Sequence, residues 1–386
     1  MKWFGSGKTR KTSEVGVFGL GMESELDQKI LLAQATRGER IEKFLSEANN
    51  EGRKEFWDAL LQLNKTLLRY AVESERLLVF IDNNVIQDIL KRESREKTIH
   101  GSRFHALLAL LMLAEQYYHF DLFACITPSV FYEASWRGKR PLAQVHEELV
   151  DVMAEIGLSA HPIGFRSIEE LTQSFKRIRT DEREIRKALD RIKALSWENE
   201  FASRHGVGIR IPASLAEELC PVVKLQYFDP WVVKLLLMHV ILKRMYAENA
   251  ENPAARKLMP DPQEKQFAIL KAKGNDEVEG LADIELLSYC DLSEQTVNQS
   301  PQIIMALTFD KGLRSALRMR SASRRQATGR GGSEDAENAG KRVAFMLYHS
   351  TKRTAKANRR TEEYIQDLQG FLKLYEKYLP KEVADA

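Results

Sequence analysis

At 386 residues, with 44% hydrophobic and 29% charged residues, the chain has length for two domains or for one domain carrying a large insertion. Its formal net charge is only +3, but residues 311–360 hold 14 Lys/Arg against 3 Asp/Glu, so the remainder is acidic and the basic stretch reads as a polyanion-binding segment. Cys125, Cys220 and Cys290 lie far apart, two of them in apolar segments, and read as reduced, buried thiols of a cytoplasmic protein, which excludes a disulfide framework and a zinc site.

Residues 1–22 read as a flexible leader without an apolar region of secretory length. Gly5-Ser6-Gly7-Lys8-Thr9 evokes a phosphate-binding loop, but that motif needs Gly where Lys2 stands and a strand before it. Gly16, Gly19 and Gly21 have the wrong spacing for a dinucleotide fingerprint. Residues 23–75 hold two expected amphipathic helices, roughly 24–48 and 52–75, the first capped by Ser24 with Asp27 three residues on.

Three apolar runs then read as strands buried on both faces. Leu77 to Ile81 ends at Asp82; Leu122 to Thr127 leads into a helix-like segment carrying Glu133; Ile303 to Thr308 leads to Asp310. Helical periodicity follows in Val85, Ile86, Ile89 and Leu90, and again from Phe104 to Tyr118. Strand–helix–strand alternation with long connections predicts a parallel sheet with helices on both faces, and a pocket beyond the carboxyl ends of its strands. Asp82 and Asp310 fall at that edge, and Asp283 opens an amphipathic segment from Ala282 to Cys290.

Residues 158–274 read as a mostly helical insertion. Its charged segment 167–204 repeats Phe175, Ile178, Ile185, Leu189 and Ile192 at helical spacing, a stripe suited to a neighbouring helix or to a second protomer, so self-association is an open expectation. Trp231 to Tyr246 is the most apolar helical stretch, but it is short and carries Lys234, His239, Lys243 and Arg244, so no membrane segment is expected. Residues 321–340 read as a linker, and 341–386 as a helical extension with Tyr364, Leu368, Leu372 and Tyr375 on one face.

Acids at strand ends and helix starts can converge, and three or four carboxylates can hold hard cations such as Mg²⁺ or Mn²⁺. Phosphodiester cleavage needs a hydroxide nucleophile at neutral pH and screening of phosphate charge, and two divalent ions roughly 3.5–4 Å apart supply both. Asn84 and Thr308 can orient carboxylates without adding to their repulsion. The eight histidines show no metal-ligand spacing, there is no nucleophilic serine elbow, and Asn84 stands where a haloacid-dehalogenase-type phosphatase needs a second Asp.

Val79-Phe80-Ile81-Asp82-Asn83-Asn84-Val85-Ile86 resembles the opening strand of the PIN-domain nucleases, which ends in Asp with Asn two positions later. Glu133 matches the family's Glu in the helix after the second strand, Asp283 its Asp at a helix head, and Thr308-Phe309-Asp310 its closing Thr/Ser-x-Asp. The resemblance covers residues 76–157 and 275–320, and it departs from the compact pattern in placing Glu133 and Asp283 150 residues apart. Glu285 and Asp291 therefore stand as rivals for the third acid.

The resemblance implies an α/β fold: a PIN-like three-layer core with a parallel sheet, the large helical insertion, and helical N- and C-terminal extensions. It further implies a metal-dependent endonuclease, RNA ahead of DNA as substrate, with Mg²⁺ or Mn²⁺ held by Asp82, Glu133, Asp283 and Asp310 and supported by Asn84 and Thr308. Arg314, Arg318, Arg324 and Arg325 are expected to contact the nucleic-acid backbone beside the site. The competing expectation is a non-catalytic nucleic-acid-binding or scaffold protein that retains the fold.

Overall fold

The computed structural model describes residues 20–71, 74–93, 98–194, 247, 251–252, 271–272, 278–292, 295, 302–318, 360 and 362–380. Three helices lead in: α1 (Leu20–Ala35), α2 (Arg37–Glu47) and α3 (Asn50–Ala71). Then come β1 (Arg76–Ile81), α4 (Asn83–Leu90), α5 (Thr98–Met112, continued by a π-helical turn, Leu113–Tyr117), β2 (Asp121–Ile126), α6 (Pro128–Ala134), α7 (Leu142–Glu155) and β3 (Ala160–Pro162). Further along, the described residues include α8 (Ile168–Ala194), β4 (Lys271–Ala272), β5 (Val278–Glu279), α9 (Leu281–Tyr289), β6 (Ile303–Leu307), α10 (311–318) and α11 (362–374).

The chain is a mixed α/β protein, mostly helical, built on a four-stranded sheet in the order β3-β2-β1-β6. Every pairing in that sheet is parallel, with Leu77 opposite both Leu122 and Ile303, and Val79 opposite both Ala124 and Met305. A period of two then assigns the faces. Leu77, Val79 and Ile81 join Ala124, Ile126, Met305 and Leu307 in one core with α3 and α5. Phe80 points to the opposite face, where its ring meets Tyr289 of α9 at 5.4 Å. A short antiparallel pair, β4 with β5, stands apart from this sheet.

Several boundaries differ from the sequence expectation. The first long helix is two helices broken at Thr36, and it starts at Leu20, so Ser24 lies inside α1 instead of capping it. The break has a physical reason at Arg37. Its buried guanidinium donates to Ile156 O (3.1 and 2.8 Å) and Gly157 O (3.2 Å), and pairs with Glu115, so a cation sits against the last carbonyls of α7. The helix expected over 52–75 begins at Asn50 and ends at Ala71.

The expected insertion starts too early. β3 lies within 158–274 yet belongs to the main sheet; it is short, largely exposed and carries Pro162, which suits an edge strand and hides it from periodicity. The stripe on α8 is occupied by this chain through Ile185. Phe175 sits edge-on to Tyr132 of α6 at 5.1 Å, and Glu182 accepts from Tyr132 Oη at 2.8 Å, so that part is unavailable to a second protomer. Leu189, Ile192, the Trp231–Tyr246 segment and the 321–340 linker lie outside the residues whose side chains or backbone are described.

The C-terminal extension packs on the core: Tyr364 and Phe371 contact Tyr118 and Tyr117 at ring separations of 5.0 and 5.6 Å, and Trp57 Nε1 donates to Tyr378 O at 3.1 Å. Cys125 and Cys290 are buried and in no disulfide, burial pushing the Cys125 thiol up to about 12, while Cys220 is outside the described residues. Among the described residues no helix is long and apolar enough to cross a membrane.

Arg37→Ala should therefore lower stability by about 3 kcal/mol, because it strips three buried carbonyl bonds and leaves Glu115 without its cation. Urea unfolding of the purified variant measures this; a loss within experimental error would mean that the α2–α7 junction is held by its apolar contacts instead.

Candidate functional site

Asp82 is the first residue past β1 and caps α4, accepting from Asn84 N at 3.3 Å. Asn84 Nδ2 donates to its Oδ2 at 3.2 Å, and Thr308 Oγ1, one residue past β6, donates to the same oxygen at 2.5 Å. The Thr308 hydroxyl in turn accepts from Asp310 N at 2.9 Å, and Asp310 Oδ1 accepts from Leu313 N at 2.8 Å to cap α10. The closing Thr-x-Asp turn thus fixes the strand-end carboxylate of β1 from the neighbouring strand.

Strand alternation directs this row. Asp82 and Thr308 continue Phe80 and Ala306, which face α9. The start of α9 is where the next acid is met: the backbone N–H of Ala282 lies near enough to the carboxylate of Glu133, on α6, to favour its ionised form. Gly280, at φ 98°, makes the left-handed turn that brings β5 into α9 there.

Electrostatics tie the acids together. Burial pushes the Asp82 carboxyl above its ordinary value; bonds from Thr308 and Asn84 oppose this, and the charge of Asp310 adds to it. Glu133 is pushed up to about 7 by burial, then by the charge of Asp82, against the Ala282 N–H and Arg137. Like charges in a poorly solvated corner produce this pattern.

The sequence-predicted residues therefore divide. Asp82, Asn84, Glu133, Thr308 and Asp310 share one corner. Asp283, half-buried, follows Ala282 directly, and Glu285, buried, lies two residues further along α9, so both stay at this end. Asp291 does not. It follows α9 at the amino edge of the sheet, where Tyr70 Oη donates to Cys290 O at 2.7 Å and Gln295 bridges to Ile304. Nine residues of helix, about 13 Å, separate the two ends.

Arg314 is half-buried, donating to Gln62 Oε1 at 2.5 Å; burial lowers its guanidinium against the opposing charge of Asp310. Arg318 is exposed, and Arg324 and Arg325 lie outside the described residues.

Sequence reasoning missed Thr127. It is the first residue past β2, as Asp82 and Thr308 are past β1 and β6, and continues the row on the other flank of Asp82. Its hydroxyl is buried, does not cap α6 and has no hydrogen-bond partner among the described residues. Asn83 Oδ1, beside Asp82, is also buried without one. The available signal was the polar residue ending each apolar run.

Carboxylates, hydroxyls and a side-chain amide are an all-oxygen donor set that fits a hard divalent cation, and mutual repulsion of the acids is what such an ion relieves. Among the described residues, however, no group of three or more His, Cys, Asp or Glu side chains stands where it could hold a metal ion, so the cage is not closed in this arrangement. No protein-family model, curated protein or solved structure matches the chain.

Two outcomes follow from the geometry. Because the folded chain holds Glu133's proton up to about pH 7 while the ordinary value is 4.5, its contribution to stability is full below 4.5 and is lost as pH rises to about 7. Glu133→Gln should flatten the fall in melting temperature across that window in chelator; an unaltered slope would place the titration elsewhere. Thr127→Val removes a buried, unbonded hydroxyl and should raise ligand-free stability by about 1 kcal/mol in chemical unfolding, whereas a loss would reveal a protein partner for it.

Proposed function

We propose that this chain is a metal-dependent endonuclease that hydrolyses phosphodiester bonds, RNA ahead of DNA, at the carboxyl edge of its parallel sheet, and that its core is PIN-like. The observation that carries the proposal is the tie from Asn84 and the Thr308–Asp310 turn to the buried carboxylate of Asp82, with Glu133 close enough to feel its charge. A carboxylate held by three donors from two elements is fixed in orientation, which a ligand for a cation or for an attacking water needs.

Bound Mg²⁺ or Mn²⁺ supplies a hydroxide at neutral pH and screens charge on the phosphate. Asp82, Glu133 and Asp310 are the residues that would hold it, with Asp283 or Glu285 from α9. Thr308 and Asn84 keep Asp82 aimed, and the orphan hydroxyl of Thr127 is available to a water or phosphate oxygen on the opposite flank. Ionising Glu133 next to Asp82 is unfavourable without a cation, so metal binding and proton release from Glu133 are coupled.

One observation favours the second reading, a nucleic-acid-binding or scaffold protein without catalysis: the acids are not drawn into a closed metal cage. The two readings separate in one assay. Purified protein is incubated with single- and double-stranded RNA and DNA in Mg²⁺, Mn²⁺ or chelator. Cleavage should need the metal, and Asp82→Asn or Asp310→Asn should reduce it by more than about 100-fold while the metal-free melting temperature holds or rises. Binding without cleavage in every metal, or cleavage indifferent to both substitutions, would sink the enzymatic reading.

A further inference from the structure

Directly after α6, three consecutive residues adopt left-handed backbone: Trp136 (φ 52°), Arg137 (φ 62°) and Gly138 (φ 76°). Only the last suits that region; a bulky aromatic there is an outlier, and such strain persists where surrounding bonds over-determine it. Those bonds are present. Trp136 N donates to Glu133 O (3.0 Å), Arg137 N to Tyr132 O (2.7 Å) and Gly138 N to Ser135 Oγ (2.9 Å). Arg137 is spent internally, donating to Glu182 Oε1 (2.7 Å) and Val278 O (2.8 Å), while Arg179 Nη2 donates to Arg137 O (2.9 Å).

This ordering secures Arg137 on the buried Glu182, but it does not bury the indole that precedes it. The indole of Trp136 is 68% exposed. The guanidinium of Arg140 lies 5.5 Å from its ring centre, pinned by Glu148 and by Ala134 O (3.4 Å). Lys139, between them, is exposed. An exposed indole with cations beside it, on a turn whose Trp136 backbone N–H donates to the main-chain carbonyl of Glu133, has the chemistry of a base-stacking platform next to a phosphate-binding charge.

We propose that the Trp136–Arg140 turn binds the unpaired strand of a single-stranded nucleic acid beside the site, an exposed base stacking on Trp136 and the adjoining phosphate meeting Lys139. The inference rests on the proposed action on nucleic acid and narrows its substrate to single strands, since a paired base offers no free face to the indole. A protein partner would also cover an exposed tryptophan, but the exposed ammonium of Lys139 beside it favours a polyanion.

The test measures binding in chelator, so that it does not depend on cleavage. Fluorescein-labelled single-stranded RNA of about 12 nucleotides, its abasic counterpart and a duplex of the same sequence are titrated onto the full chain. Trp136→Ala should weaken binding to the ordinary strand by about 5- to 150-fold and leave the abasic strand and the duplex unchanged, and Trp136→Phe should restore most of the affinity. Lys139→Glu should weaken ordinary and abasic strands alike and lower the salt slope by about one contact. Trp136→Gly relieves the left-handed strain, so it should lose binding without losing melting temperature.

Equal affinity of parent and Trp136→Ala overturns the platform and leaves Trp136 as a protein contact. So does a loss shared by the abasic strand, or a parent that binds no single strand. A parent that binds as expected but never cleaves in Mg²⁺ or Mn²⁺ refutes the nuclease reading while the platform stands.

Discussion

A carboxylate buried at the end of the central strand is the constraint around which the rest is arranged. Asp82 is 2% exposed, so its charge must be met by donors or left protonated. The chain meets it in part, through Thr308, Asn84 and the first turn of α4. That choice dictates which strand can neighbour β1: β6 must be followed by a hydroxyl at the matching row, and the acid two residues on must turn to cap α10. It also keeps Asp310 and Glu133 near enough for their charges to oppose its ionisation. Such an arrangement is poor for stability and useful for binding positive charge.

The second organising element is α9, which runs against the strands. Its start reaches Glu133 through Ala282, and its far end docks through Cys290 onto Tyr70. Glu182 of α8 holds Tyr132 and Arg137, on either side of Glu133, and Arg137 reaches Val278 just ahead of α9. Elements far apart in sequence are therefore laced around one acid, which explains how a long interruption between Glu133 and Asp283 is tolerated.

Much of this architecture was legible in the residues. Three apolar runs ending in a polar residue named the three longest strands to within one residue, although burial on both faces does not hold for the first half of β2, where Phe123 is exposed. β3 was not legible, since three residues with a proline carry no period. The helix break at Thr36 was hidden as well: its cause is a carbonyl cluster at Ile156, remote in sequence from Arg37. In the site, Asp82 and Asp310 were recognisable as strand-end acids with Thr308 as a supporting hydrogen-bonder, and the rivalry among Asp283, Glu285 and Asp291 was resolved only for Asp291. Helical sequence says which residues share a face, not which end of the sheet that helix meets. Thr127 was passed over because a lone threonine before proline reads as a helix cap, and only burial without a partner marks it as something else.

The pairing of β1 with β6 also has a temporal meaning. Thr308 and Asp82 are 226 positions apart, so β1 is an edge strand, apolar on both faces, until nearly the whole core has been synthesised. Parallel pairings at such separation form slowly, and an uncovered apolar edge is a template for another chain. The nascent protein thus passes through a stage in which β3, β2 and β1 can pair while their fourth partner is still to come. Asp82 lacks its Thr308 donor throughout that stage, so the same strand that closes the sheet also completes the acidic corner, and a half-made chain cannot present it.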